Sequence, residues 1–192
     1  MSRPSDSVRR VRPDDVPRIC QLVRDLAEYE RAPTEAQMTD DQLHEALFGT
    51  EVSLYGHVAE VDRNVIGFAL WFRNFSTWRG RHGIYVEDLY VTPEHRGSGV
   101  GKSLLAALAR ECVARGYPRL DWWVLNWNEP SIAFYRALGA VPMDEWTVFR
   151  LTDQALADLA GSGWHSAALE EGQLPSGGEQ QIEHGGPGGE HG

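Results

Sequence analysis

The 192-residue sequence has few cysteines, no long apolar run and little positive charge. Its two cysteines, Cys20 and Cys112, lie in apolar, helix-like patterns, which is typical of core residues rather than of a disulfide framework. The longest strongly apolar stretch, Val65–Phe72, is far shorter than the roughly 20 residues of a membrane-spanning helix. The first ten residues contain no apolar segment of the kind found in secretory signals. These absences predict a cytoplasmic protein.

Cationic residues number 18 against 28 Asp and Glu, so the formal net charge is −10, and Lys102 is the single lysine. Nucleic acids and anionic membranes bind to clustered cations, so neither is expected as a partner. A small cationic substrate is compatible with this charge. Because the histidines and cysteines lack the spacing of metal ligands, no metal site is predicted.

The composition changes near Gly161. Residues 161–192 are rich in Gly, Glu, Gln and His and contain neither Lys nor Arg. Such a segment cannot bury enough apolar surface to offset the entropy lost on ordering it. The sequence therefore predicts one domain over residues 1–160 and a flexible C-terminal tail over residues 161–192.

Within residues 1–160, strand and helix patterns alternate. Apolar residues at helical spacing predict a first helix that ends at Tyr29, and Thr39 and Gly49 delimit a second one. Two apolar segments separated by a short polar turn predict a hairpin at residues 56–72. Further strands are predicted at Gly83–Val91, Arg119–Leu125 and Trp146–Leu151, and further helices at Val100–Arg115 and Pro130–Leu138. A hairpin followed by strand–helix–strand connections predicts an α/β protein with a mixed sheet.

A glycine-rich turn, Arg96–Ser103, joins a predicted strand to a predicted helix. Its glycines permit a tight turn of N–H groups, and the helix N-terminus adds partial positive charge, so the turn is a candidate anion site. A Walker A loop requires glycine where Arg96 stands, and a dinucleotide fingerprint requires glycine where Lys102 stands. The pattern [RQ]-x-x-G-x-[GA] is met by Arg96, Gly99 and Gly101. A helix start that merely turns tightly is the remaining interpretation.

Polar side chains near this turn are candidates for acid–base chemistry. Glu87 lies among apolar and aromatic residues, where partial desolvation would raise its pKa, and regular strand alternation directs Asp88 to the opposite face. Tyr135 follows Ser131 by four residues and Asn128 by seven, so the three share one helical face. A half-solvated carboxylate pair and an ordinary aromatic helix core are the structural alternatives.

Three blocks of sequence, Ile84–Val91, Pro93–Gly101 and Trp127–Tyr135, resemble the spermidine/spermine N1-acetyltransferase family of the GCN5-related N-acetyltransferase (GNAT) superfamily. The segment Ser76–Arg81 is similar to the thialysine N-acetyltransferase branch of that family. The resemblance implies the GNAT fold, an α/β fold whose mixed, mostly antiparallel sheet has a splayed central parallel pair and is flanked by helices. It also implies a homodimer.

The function implied by the resemblance is acetyl-CoA-dependent N-acetylation of a primary amine, by direct transfer in a ternary complex. The substrate would be a small cation: a thialysine- or lysine-like amino acid, a diamine or a polyamine. A non-catalytic acyl-CoA-binding module is the alternative function, followed by a P-loop nucleotide-binding protein.

The resemblance also assigns roles to residues. Tyr135 would be the general acid, and Glu87 would accept the amine proton or contact the substrate. The residues expected to bind acetyl-CoA are Leu89, Tyr90, Val91, Arg96, Gly97, Ser98, Gly99, Val100, Gly101, Lys102, Asn128, Ser131 and Tyr135. The residues expected to contact the amine substrate are Tyr29, Glu30, Trp78, Glu87, Trp123 and Asp144.

Overall fold

The computed structural model describes residues 8–161, which belong to two compact units that meet in sequence after Val141. The first unit contains a five-stranded sheet in the order β1-β2-β3-β4-β5. Its strands are β1 (Val8–Arg10), β2 (Tyr55–Val61), β3 (Asn64–Ser76), β4 (Arg81–Val91) and β5 (Leu120–Trp122). Its helices are α1 (Val16–Tyr29), α2 (Asp40–Phe48), α3 (Val100–Arg115) and α4 (Glu129–Ala137).

The sheet is mixed. Strands β1 to β4 pair antiparallel with their neighbours, and β4 pairs parallel with β5. Helix α3 makes the crossover between the two parallel strands, as a parallel connection requires. The predicted mixed, mostly antiparallel sheet with one parallel pair is confirmed.

Each face of the sheet is covered by helices. Helices α1 and α2 bury Ile19, Leu22 and Leu43 against Phe68 and Leu70 on one face. On the other face, α3 packs against the sheet; its buried residues and those of the strands beneath it include Leu104, Leu108, Trp71, Ile84 and Val86. Burial of apolar side chains on both faces holds β4 in the middle of two cores.

Local signals in the sequence place the helix ends. The Thr39 hydroxyl accepts a hydrogen bond from the backbone N–H of Gln42 (3.3 Å), which caps α2. Helix α3 begins after Gly99 (φ 91°) and ends at Gly116 (φ 66°), both in the left-handed region that favours glycine. The bounds predicted for α2 and α3 are confirmed.

The second unit, from Pro142 onwards, is described up to Gly161 and contains α5 (Asp153–Gly161). The strand predicted at Trp146–Leu151 is wrong, because this segment forms neither strand nor helix and its side chains are exposed. The apolar residues of this segment favour a strand, but a strand also needs a neighbouring strand that hydrogen-bonds its backbone N–H and C=O groups. Strand β5 is likewise shorter than the predicted Arg119–Leu125.

The predicted tail lies outside the described residues, apart from Gly161, and the predicted boundary there stays a prediction. Within residues 8–161, no helix combines the length and the apolar character that crossing a membrane requires.

Candidate active site

Strand β5 ends beside the middle of β4, at the centre of the candidate site. They pair at only three positions, from Ile84 opposite Leu120 to Val86 opposite Trp122. Beyond Val86, β4 continues to Val91 and pairs with β3 alone. At about 3.3 Å per residue, roughly 16 Å of β4 backbone therefore has no strand on one edge among the described residues. Such an edge can hydrogen-bond an extended ligand that carries amide groups.

Glu87 is the extra residue of a β-bulge in β4. Asp88 lies opposite Leu70 and Val86 lies opposite Trp71, so Glu87 has no partner on β3. The side chains that pack toward α3 change register at the same point, from Ile84 and Val86 before the bulge to Leu89 and Val91 after it. Glu87 and Asp88 consequently both lie on the side away from α3. The expectation that they point to opposite faces is wrong, because it assumed a regular strand.

The bulge gives the two carboxylates different environments. Glu87 is exposed, whereas Asp88 is partly buried. Burial, with smaller contributions from the negative charges of Glu87 and Glu30, raises the pKa of Asp88 to about 6. The desolvation expected at Glu87 is therefore found at Asp88.

Glu30, which follows the last residue of α1, is the third carboxylate in this region. Burial raises the pKa of its carboxyl group as well. Within residues 8–161, no ion pair involves Glu30, Glu87 or Asp88. The described part of the protein thus presents three negative charges without cationic partners, an arrangement that suits a positively charged ligand.

Tyr135 is held on α4 by packing against the end of β5. Its ring centroid lies 5.0 Å from that of Trp122, and the adjacent Phe134 lies beside Gly101 at the start of α3. Burial raises the pKa of Tyr135 to about 12, with smaller contributions from the charges of Glu30 and Tyr29. The phenol is therefore protonated throughout the physiological pH range and lies within electrostatic range of Glu30.

The glycine-rich turn has the geometry of an anion site. Gly97 and Gly99 have φ values of 74° and 91°, and a Cβ at Gly97 would meet no atom within 4 Å. The first helical hydrogen bond of α3 runs from the N–H of Ser103 to the carbonyl oxygen of Gly99 (3.0 Å). The N–H groups between them have no acceptor within the helix, so they can bind a phosphate group together with exposed Lys102.

Tyr29 connects this turn to α4. The guanidinium of Arg96 lies over the rings of Tyr29 (4.6 Å) and Tyr90 (5.3 Å). The Tyr29 hydroxyl donates a hydrogen bond to Oδ1 of Asn128 (3.1 Å), and the same oxygen caps α4 by accepting from the N–H of Ser131 (3.4 Å). Arg96 and buried Asn128 were expected as ligand contacts, yet their side chains bind within the protein. They position the elements that carry the site.

The remaining candidates for the amine pocket are scattered. Trp78, in the turn between β3 and β4, is 90% exposed, and Trp123 is 60% exposed with its ring edge-on to Tyr85 (5.6 Å). Asp144 belongs to the second unit. Among the candidates in the first unit, Tyr29 and Glu30 act electrostatically on Tyr135, and Glu87 acts on Asp88.

Asp88 is the site residue that sequence reasoning missed. The sequence contains a signal for it: apolar residues stand at 84 and 86, and then at 89 and 91, so the alternation shifts by one residue within the strand. Such a shift indicates a bulge between the two pairs. Within residues 8–161, no group of three or more His, Cys, Asp or Glu side chains is arranged to hold a metal ion.

Known proteins share this architecture. A family model described as the acetyltransferase (GNAT) family matches residues 19–140. The chain is 34% identical over 165 residues to the thialysine N-epsilon-acetyltransferase of Bos taurus, which covers 80% of this chain and 96% of that protein. It is 40% identical over 92 residues to the L-ornithine N5-acetyltransferase of Arabidopsis thaliana, which covers 48% of this chain and 40% of that protein.

Among solved structures, an integron cassette protein from the mobile metagenome of V. cholerae superposes with a TM-score of 0.68 at 24% identity, over 80% of this chain and 96% of that one. This likeness shows the fold alone. The sequence matches show the family as well as the fold, since they extend over most of the first unit and include the strand, turn and helix of the candidate site. The chain belongs to the acetyltransferase (GNAT) family and is an N-acetyltransferase.

Proposed function

We propose that the protein transfers an acetyl group from acetyl-CoA directly to the primary amine of a small cationic substrate, within a ternary complex. The observation that carries this proposal is the group of three carboxylates Glu30, Glu87 and Asp88, which have no ion-pair partner within residues 8–161. Glu87 and Glu30 act electrostatically on Asp88, and Glu30 also acts on Tyr135. The names of the thialysine and ornithine relatives specify an amine of an amino acid. They support a lysine-like amino acid or a diamine as substrate.

Acetyl-CoA, the acyl donor of the GNAT family, supplies the acetyl thioester when bound. The glycine turn Gly97–Lys102 fits its pyrophosphate, because open backbone N–H groups meet a helix N-terminus there. The edge of Leu89–Val91 that lacks a partner strand among the described residues would hold the pantetheine arm through backbone hydrogen bonds, although the Val91 carbonyl oxygen already accepts one from Arg96. Ser131 on the first turn of α4 would be a further contact. An N–H of this edge would also stabilise the negative charge that develops on the acetyl oxygen.

The amine requires a proton acceptor. A primary ammonium with a pKa near 10.4 is only about 0.04% free amine at pH 7, a deficit of about 4.6 kcal/mol. A positioned carboxylate removes this obstacle by accepting the proton as the amine attacks. The bulge of β4 supplies two such groups, Glu87 and Asp88, and Glu30 holds the substrate cation in place.

Tyr135 would assist the departing sulfur. Its pKa of about 12 exceeds that of a thiol, near 8.5, so complete proton transfer to the thiolate would be uphill by about 5 kcal/mol. The phenol therefore acts first as a hydrogen-bond donor to the sulfur, and it releases its proton as the carbon–sulfur bond breaks. Burial strengthens that hydrogen bond because water is excluded.

Two cysteines, Cys20 and Cys112, are buried free thiols. They support the proposal of a cytoplasmic location, where thiols are kept reduced.

A panel of amines tests the proposed function. Release of free thiol from acetyl-CoA is measured with thialysine, L-ornithine, L-lysine, 1,4-diaminobutane and spermidine, with n-butylamine as the singly charged control. Because the site presents three carboxylates, the amines with two or more ammonium groups should react at least tenfold faster than n-butylamine in kcat/KM. Absence of thiol release with every amine would contradict the proposal.

Replacing Tyr135 by phenylalanine tests its proposed role as the proton donor to the departing sulfur. Tyr135→Phe keeps the packing on Trp122 but removes the proton donor, so kcat should fall by roughly 10²–10⁴ while acetyl-CoA affinity is kept. Tyr55→Phe, which removes a phenol elsewhere in the sheet, is the control and should retain turnover. If kcat fell less than tenfold in Tyr135→Phe, the assignment of Tyr135 as the general acid would be wrong.

Calorimetric titration with coenzyme A tests whether the glycine turn binds the pyrophosphate. Gly97→Ala places a Cβ at φ 74°, which costs about 1–2 kcal/mol in the bound geometry and should weaken binding by about tenfold. Gly116→Ala is the matched control, since Gly116 has φ 66° and lies at the other end of α3. Equal affinities of the two variants would show that the turn does not bind the pyrophosphate.

We further propose a homodimer, which the resemblance implies and exposed apolar residues support. In the second unit, Trp146, Val148 and Phe149 are exposed, each by more than half of its surface. Adjacent exposed apolar side chains of this kind are typical of a surface that a partner covers. A second copy of the chain is the occupant we propose.

Light scattering tests this assembly. The wild-type mass should be about twice the 21.5 kDa of one chain. A Trp146→Ser, Phe149→Ser double variant should shift the mass toward 21.5 kDa, whereas Trp78→Ser, which removes a still more exposed tryptophan, should leave it unchanged. A wild-type monomer would refute the proposal.

A further inference from the structure

We propose that Asp88, rather than Glu87, is the residue that accepts the proton of the amine substrate. This inference rests on the proposed function and identifies the acceptor within the bulge of β4.

The bulge brings Asp88 to the correct side of the sheet. In a regular strand the residue after Glu87 would point toward α3, but the register break directs Asp88 to the side of Tyr90, which is buried against α1. Glu30, at the end of α1, acts electrostatically on both Asp88 and Tyr135. Asp88 therefore shares a region with the proposed acid, while Glu87 is exposed beside it.

The charged groups around Asp88 all favour its protonated form. On its own strand the neighbour is Glu87, and from α1 it is Glu30, both negative. Burial has the largest effect, and together with these charges it raises the pKa of Asp88 to about 6. A carboxylate with this proton affinity is largely ionised at neutral pH, and it holds a proton about a hundredfold more tightly than an ordinary aspartate.

No ion pair within residues 8–161 neutralises this carboxylate. Arg96 is stacked on the rings of Tyr29 and Tyr90, and Arg31 is stacked on the ring of Trp127 at 4.9 Å. Both guanidinium groups are held by aromatic faces. An ammonium substrate is thus the cation that Asp88 would meet.

The proton balance of the step is complete. The substrate ammonium gives one proton to Asp88, which later releases it to solvent. The free amine bonds to the acetyl carbonyl carbon, and the carbon–sulfur bond breaks. Tyr135 gives its phenol proton to the departing sulfur and recovers one from the new amide nitrogen. The net products are the amide, the free thiol and one proton.

The same environment predicts that Asp88 destabilises the free protein. The folded state holds the Asp88 proton more tightly than the unfolded chain, whose pKa is near 3.8, so stability falls as pH rises from about 4 to about 6. Asp88→Asn removes this charge. Its melting temperature should exceed that of the wild type at pH 7, and the difference should shrink as the pH is lowered toward 4.

The experiment compares Asp88→Asn with Glu87→Gln, each of which replaces a bulge carboxylate by its amide. With thialysine as the amine, kcat/KM is measured from pH 5 to pH 9, and coenzyme A affinity is measured in parallel. Wild-type kcat/KM should fall about tenfold per pH unit below pH 6. Asp88→Asn should lower kcat by roughly 10²–10⁴ at pH 7 and abolish this inflection, and its deficit should shrink at high pH as free amine accumulates.

The Glu87→Gln variant should keep the inflection near pH 6. Its kcat/KM should fall less than tenfold, mainly because KM rises. Asp88→Glu keeps a carboxylate and should restore part of the turnover. The inference would be overturned if kcat fell less than tenfold in Asp88→Asn. It would also be overturned if the inflection disappeared in Glu87→Gln and not in Asp88→Asn. A wild type that acetylates none of the amines would instead defeat the proposed function, whereas an active wild type with a fully active Asp88→Asn variant would defeat this inference alone.

Discussion

Strand β4 is hydrogen-bonded to β3 along its length and to β5 at only three positions, and the rest of the site depends on this difference. Beyond the end of β5, one backbone edge of β4 has no partner strand among the described residues. At the same point a bulge changes which side chains face α3. The edge, the bulge carboxylates and the glycine turn then follow within about fifteen residues. In the proposed function, this one irregular strand would carry the binding sites of both the acyl donor and the amine.

Tyr29 makes the elements on either side of that strand interdependent. Its ring lies under Arg96 of the glycine turn, and its hydroxyl binds Asn128, the cap of α4. A cation–π contact contributes about 0.5–2 kcal/mol and a hydrogen bond about 1 kcal/mol. These energies are modest for the fold, but a displaced α4 would move the Tyr135 phenol. We therefore propose that Tyr29 positions the Tyr135 phenol, in addition to the substrate contact that the resemblance implies for it.

The electrostatics of the site oppose stability. Asp88 and Glu30 are desolvated carboxylates, the charge of Glu30 acts on Asp88, and no ion pair within residues 8–161 involves either of them. An isolated protein would be more stable with amides at these positions. Retaining the charges is reasonable if a cationic substrate neutralises them on binding, which is a common exchange of stability for function. The apolar cores on both faces of the sheet stabilise the fold and offset the cost of these buried charges.

The sequence by itself determined the elements whose signals are local: α2 between Thr39 and Gly49, α3 between two left-handed glycines, and the anion-binding turn before it. Those features depend on a few adjacent residues. Only the tertiary structure decided the side to which Asp88 points, because a bulge is defined by the partner strand. It also decided that Asn128 binds Tyr29 across 99 residues and that Trp146–Leu151 forms no strand within its unit. Pairing and burial are long-range properties, and a pattern of apolar residues shows that a segment can pair without showing what it pairs with.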